Sequence, residues 1–228
     1  MNSFDDVLIL IPVYNEDKKI QIVVDALLKY FRNILVINDG STDDTFRKLL
    51  KYDLFLINHP LNLGQGAALD TGFEFFINNT NFEYLVTFDG DNQHNINDLI
   101  EMIKKIKVED IHGVVGSRFI KKTSLKNVPN LRIVILILAK LYEKIFYGSK
   151  FTDAHNGLRI LKRDVVQSCL MPLDNYDMSH ATEISYKLSH SHFKIKEYPV
   201  TFLYHDMYPQ SVLNAINLIF KNIFSNKR

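Results

Sequence analysis

Apolar residues fall into short unbroken runs separated by stretches with a helical period. Val7 to Ile11 is such a run, closed by Pro12, and predicts a strand buried on both faces. Ile20, Val23, Val24, Leu27, Leu28 and Phe31 then recur at helical spacing. Ile34 to Ile37 predicts a second strand, followed by Asp39-Gly40-Ser41 and a short helix with Phe46, Leu49 and Leu50. Leu54 to Ile57 predicts a third strand, and Ala67 to Ile77 a helix entered through Gly64 and Gly66. Tyr84 to Phe88 predicts a fourth strand that runs straight into Asp89-Gly90-Asp91. A helix with Ile96, Leu99, Ile100 and Ile103, then a strand from Gly113 to Gly116, continue the alternation.

This alternation predicts an α/β fold whose mostly parallel central sheet is covered by helices on both faces. Ligands of such sheets bind beyond the carboxyl ends of the strands. The polar segments fall there: Tyr14 to Glu16, Asn38 to Ser41, Asp89 to His94, and Ser117-Arg118. The second half is less regular. Residues Phe119 to Asn130 read as a polar loop, Leu131 to Tyr147 as a long helix, and Asp153 to Gly157 as part of a loop. A helix near Met178 to Ser189 and a strand from Phe193 to Val200 follow, and Val212 to Phe224 places Leu213, Ile216, Phe220 and Ile223 on one face.

Composition narrows the function. A formal net charge of +1 gives no global field for nucleic acid, so none is expected as a partner. Cys169 is the sole cysteine, which removes intrachain disulfides and zinc-type spacing and fits a reducing compartment, the cytoplasm. The apolar run Ile133 to Ala139 meets Lys140, Glu143 and Lys144 well before the roughly 20 residues a spanning helix needs. Neither a membrane span nor a signal peptide is predicted.

Asp89-Gly90-Asp91 is the centre of the candidate chemistry. Two carboxylates flanking one small residue can share a hard cation such as Mg²⁺ or Mn²⁺, which would neutralise a leaving diphosphate. Asp and Gly also make ordinary turns, but a strand end with sister motifs beside it favours the metal reading. Gln93 and His94 can add a ligand or a hydrogen bond. Asp39 can accept hydrogen bonds from a base or ribose, while Ser41 and Asp43 are expected to cap a helix. Asn62 to Ala68 allows close backbone approach but lacks the third glycine of a dinucleotide fingerprint. Glu183 is a candidate general base, with Asp153 and His155 competing. His59, His112, His190 and His192 read as structural or exposed.

The segments Ile11 to Glu16, Asn38 to Ser41, Asn62 to Gly66, Asp89 to His94, Gly116 to Phe119 and Gly157 to Arg159, in this order, resemble glycosyltransferase family 2 with its GT-A fold. The branch is that of dolichyl- and polyprenyl-phosphate sugar synthases. Short soluble enzymes of bacterial surface-polysaccharide synthesis look closer still, through His155 to Arg159 and His180 to Glu183. The resemblance implies a nucleotide-sugar donor, with Pro12, Tyr14, Glu16, Ile37 and Asp39 lining its nucleotide pocket. Asp89, Asp91 and Gln93 would hold Mn²⁺ or Mg²⁺, Arg118 would lie near the donor phosphates or sugar, and Gly90 and Arg159 are expected among the substrate-binding residues. Inversion by direct displacement is implied, with Glu183 as base when the acceptor is a hydroxyl.

A single domain is expected: a nucleotide-sugar-binding half over 1–118, an acceptor half over 119–211 and a terminal amphipathic helix over 212–228. Where polyprenyl-phosphate synthases carry an arginine, this chain reads His205 to Ser211. The acceptor is therefore a lipid-linked glycan or a polyprenyl phosphate, with the balance towards a glycan hydroxyl. The terminal helix can rest on the inner face of an anionic membrane, pack on the domain or form a homodimer contact. A sugar nucleotidyltransferase and a non-catalytic nucleotide-sugar or glycan-binding domain are the rival readings.

Overall fold

In the computed structural model, residues 4–121, 137, 140, 141, 143–177 and 179–202 are described. Seven strands form one sheet in the order β3-β2-β1-β4-β6-β5-β7. They are β1 (Val7–Val13), β2 (Ile34–Asn38), β3 (Phe55–Asn58), β4 (Tyr84–Thr87), β5 (Gly113–Ser117), β6 (Arg159–Lys162) and β7 (Ile195–Pro199). The helices are α1 (Ile20–Leu27), α2 (Thr45–Leu49), α3 (Gln65–Asn79), α4 (Ile96–Val108) and α5 (His180–His190). A turn of helix, Arg163–Val165, leads into a π-helical segment, Val166–Leu170.

Side-chain alternation along the central strands builds two cores. Val7, Ile9, Ile11 and Val13 join Ile34 and Val36 under α1 and α4. Leu8 and Leu10, with Leu35 and Ile37, face α3 and α5 instead. Both faces are buried, which is why β1 and β2 read as continuous apolar runs.

The parallel expectation holds for β1 with β2 and β4, for β2 with β3 and for β5 with β7. The exception is β6, which the hydrophobic pattern did not mark. It runs antiparallel between β4 and β5. Its pairing of Arg159 with Thr87 brings the start of β6 to the edge where β4 ends. The expected first helix also stops earlier, at Leu27, with Phe31 buried beyond it.

Residues 137, 140, 141 and 143–147 are helical, within the helix expected over 131–147. The rest of that helix, most of the 119–130 loop, the 205–211 segment and the terminal helix over 212–228 lie outside the described residues. No described helix is long and apolar enough to cross a membrane.

Candidate active site

Three loops meet at the carboxyl edge of the sheet. After β1 the chain turns through Asn15 with φ of 53°. Asn15 N–H donates to Ser41 Oγ at 3.0 Å, and its Oδ1 accepts from Thr42 N–H at 2.8 Å. Ser41 therefore stitches two loops together and does not cap the following helix. Asp43 does both jobs, accepting from Thr45 N–H at 2.9 Å and from Asp17 N–H at 3.2 Å.

Asp39 is enclosed, its side chain only 3% exposed. Its carboxylate accepts from Leu63 N–H at 3.0 Å and Gly64 N–H at 2.8 Å, and lies 2.7 Å from His59 Nδ1. This makes it a strut for the loop entering α3, not a group open to a base or ribose. His59, whose Nε2 stands 3.0 Å from Thr71 Oγ1, is structural as expected. Ile37 is fully buried in the core beneath the sheet. Its side chain packs with Leu8, Leu10 and Leu35 on the sheet face covered by α3 and α5. Pro12 is buried in β1, whereas Tyr14 is exposed at the rim.

The acidic centre is Asp89 with Asp91. Asp89 retains 24% side-chain exposure. His94 Nε2 lies 2.9 Å from its Oδ2, and Gln65 Nε2 donates to Oδ1 at 3.2 Å. His94 is itself buried, edge-on to Phe88 and Phe202. Burial works to raise the Asp89 pKa, but the His94 hydrogen bond and the charges of His94 and Arg159 outweigh it and hold the carboxyl low. Asp91 goes the other way, raised by burial and by the charge of Asp89. Glu16, on the loop after β1, is raised by burial and further by Asp91. Asp91 Oδ1 accepts from Gln93 N–H at 3.1 Å, in a turn through Asn92 with φ of 61°. Gly90 sits beneath, against Val13 and Ile11.

Gly157 is shaped by this centre. A Cβ there would overlap the Asp89 carboxylate, so only glycine lets the β6 entry loop pass. Thr87 Oγ1 pins the same loop by donating to Gly157 C=O at 2.6 Å. Arg159 follows, buried, and feels the charges of both Asp89 and Asp153.

Asp153 and Glu183, the two expected bases, are already engaged. Arg118 grips Asp153 through Nε and Nη2, each at 2.7 Å, and its backbone N–H adds a bond at 3.0 Å. The Asp153 side chain is 2% exposed, and although burial raises its pKa, Arg118 brings the net shift down. Glu183 accepts from Asp174 N–H and Asn175 N–H at 2.9 Å, from Asn175 Nδ2 at 2.8 Å, and pairs with Lys187 at 2.7 Å. Against burial, Lys187 and these N–H groups lower its pKa too.

The loop that Glu183 holds is a wall of the cleft. Its Tyr176 C=O accepts from Gly66 N–H at 3.1 Å, and a side chain at Gly64, where φ is 101°, would collide with that carbonyl. Gln65, Gly157 and the buried His180 were not singled out as site residues. For Gln65 and Gly157 the sequence signal was present, in the glycine segments at 62–66 and 157–159.

Among the described residues no three His, Cys, Asp or Glu side chains stand close enough to hold a metal by themselves. Mg²⁺-type ions carried on a diphosphate need only one or two carboxylates, so the Asp89–Asp91 pair fits that mode. The repulsion of Asp91 by Asp89, which adds to burial in raising Asp91, is what a cation would relieve.

Residues 8–170 match the family model described as Glycosyl transferase family 2. The chain belongs to glycosyl transferase family 2. As a member of that family it is a glycosyltransferase using a nucleotide-sugar. An uncharacterized protein of Methanocaldococcus jannaschii is 30% identical over 227 residues, covering 96% of this chain and 91% of that protein. The UDP-N-acetylglucosamine–dolichyl-phosphate N-acetylglucosaminyltransferase of Methanococcus voltae is 28% identical over 177 residues, 70% of each chain. Among solved structures, glucosyl-3-phosphoglycerate synthase from Mycobacterium tuberculosis, in complex with Mn²⁺ and UDP-glucose, superposes with a TM-score of 0.60 at 13% identity. It covers 96% of this chain, which spans 78% of that structure, and the likeness establishes the GT-A fold.

Proposed function

We propose that this glycosyltransferase moves a sugar, with inversion, from a nucleotide diphosphate to the phosphate of a polyprenyl-type lipid. Mn²⁺ or Mg²⁺ is held on the donor by Asp89 and Asp91, with Gln93 beside them. The bound cation neutralises charge on the departing diphosphate. The acceptor oxygen attacks the anomeric carbon from the face opposite the diphosphate. The bond from that carbon to the diphosphate breaks, and its electron pair leaves with the nucleotide.

The observation that carries the acceptor class is the engagement of Asp153 and Glu183. Both are held in hydrogen-bonded ion pairs and lowered in pKa, so neither is poised to take a proton from a hydroxyl. A phosphate monoester is already anionic near neutral pH and needs no base. This favours the lipid phosphate over the hydroxyl of a lipid-linked glycan. The dolichyl-phosphate acceptor named for the Methanococcus voltae relative supports the same choice. The product would feed surface polysaccharide assembly, with the enzyme working at the inner face of the membrane.

The test is incubation with farnesyl phosphate and a panel of nucleotide-sugars, read by mass spectrometry. A glycosyl phosphate that forms with Mn²⁺ and stops with chelator is expected. Transfer to a hydroxyl in preference to the phosphate contradicts the acceptor class.

A further inference from the structure

The loop entering β6 carries a second ionisable pair that the transfer step leaves unused. Asp153 turns inward onto Arg118, and Gly157 makes room for Asp89. His155, between them, turns outward, with its side chain 31% exposed. There it meets Glu143, whose side chain is only 3% exposed. Glu143 Oε1 accepts from Thr182 Oγ1 of α5 at 2.5 Å and stands 3.5 Å from His155 Nε2. Its other oxygen, Oε2, is buried with no hydrogen-bond partner among the described residues.

A buried carboxylate is costly unless a cation or donors compensate it. Among the described residues His155 is the basic group at ion-pair distance from Glu143. With Nε2 turned to the carboxylate, Nδ1 is the nitrogen left to meet a ligand. The pair also lies beside the acidic centre: His155 is two residues before Gly157, which packs against the Asp89 carboxylate, and Glu143 is bonded to Thr182 in the same turn of α5 as His180. The neighbouring arginines are withdrawn, Arg118 into its bond with Asp153 and Arg159 into the interior. Of the three, His155 is the one exposed.

We propose that His155, oriented by the buried Glu143, contacts the phosphate of the acceptor. This rests on the transfer reading above and names the group that meets the acceptor. His155 then touches substrate, while Glu143 is a positioning residue acting through it.

Calorimetric titration of farnesyl phosphate into the full-length protein, preloaded with Mn²⁺ and UDP, tests the assignment. Losing one charge-assisted hydrogen bond should weaken farnesyl phosphate by about tenfold in His155→Ala. Glu143→Gln should weaken it in the same direction but less, while UDP affinity with Mn²⁺ stays unchanged in both. Farnesol should not compete, and inorganic phosphate should compete only weakly. Unchanged farnesyl phosphate affinity in His155→Ala overturns the assignment, as does intact affinity with a collapsed turnover number, which marks a base. Inorganic phosphate binding as tightly as farnesyl phosphate also overturns it, because the site would then not belong to a lipid acceptor. If the wild type binds UDP with Mn²⁺ but no farnesyl phosphate, this inference falls while the donor site stands. If it binds neither farnesyl phosphate nor any nucleoside diphosphate tried in place of UDP, the transfer reading itself fails.

Discussion

Asp89 and Asp91 stand with Glu16 at the carboxyl edge of β1 and β4, whereas Asp153 lies in the loop entering β6 and Glu183 on α5. In the first group burial and like charge raise Asp91 and Glu16, while His94 and Arg159 hold Asp89 low. In the second, Arg118, Lys187 and backbone N–H groups surround each carboxylate and lower it. Acids the fold has neutralised hold loops in place. Asp91 and Glu16 instead carry a repulsion that a cation arriving with a ligand would relieve. The contrast separates chemistry from architecture more sharply than residue type does.

The largest effect should follow from breaking the uncompensated side. Replacing Asp91 by Asn should lower turnover by about 10²–10³-fold while the fold stays intact, as judged by thermal unfolding. Turnover within a few-fold of wild type would place the cation elsewhere. On the compensated side the loss should appear in stability. Asp153→Ala strands Arg118 in the interior and should cost about 3–5 kcal/mol in urea unfolding.

The same pair has a pH signature. The Asp153 pKa in the folded protein lies below its ordinary 3.8. Its stabilisation is therefore complete above that value and is lost as pH falls through the folded one. Asp153→Asn should flatten this acid limb of the stability curve, and an unchanged limb would remove Asp153 as its source.

Gly157→Ala lies between the two sides. By pushing on the Asp89 carboxylate it should weaken Mn²⁺ by about tenfold, the scale of a disturbed metal-site support. A titration showing normal Mn²⁺ affinity would mean that the carboxylate can move without cost. The smallest effect should come from Glu183→Gln. It should lose about 1–2 kcal/mol of stability with the weakened loop bonds, yet keep turnover within roughly twofold on a phosphate acceptor. A hundredfold drop in turnover alone would restore Glu183 as a base.

The first half of the chain was legible because its signals are local. Val7 to Ile11 and Ile34 to Ile37 state their burial in consecutive residues, and the acidic motif follows directly from β4. The resemblance put Ile37 in the pocket; the structure buries it with Leu35 on the face covered by α3 and α5. The second half depends on long-range pairing. β6 is four residues with charged ends, and it is a strand because β4 and β5 flank it. The partners of Glu183 are backbone N–H groups of Asp174 and Asn175, which no side-chain pattern announces. The need for glycine at 157 is set by a carboxylate from a distant strand.

The most direct test of the cation site is calorimetric titration of UDP into wild type and the Asp89→Asn, Asp91→Asn double variant, with and without Mn²⁺. Mn²⁺ should tighten UDP by about tenfold or more in the wild type, the scale of one charge-assisted interaction, and do nothing in the double variant. A wild type indifferent to Mn²⁺, or a double variant that keeps the full metal effect, would contradict a donor cation held by this acidic pair.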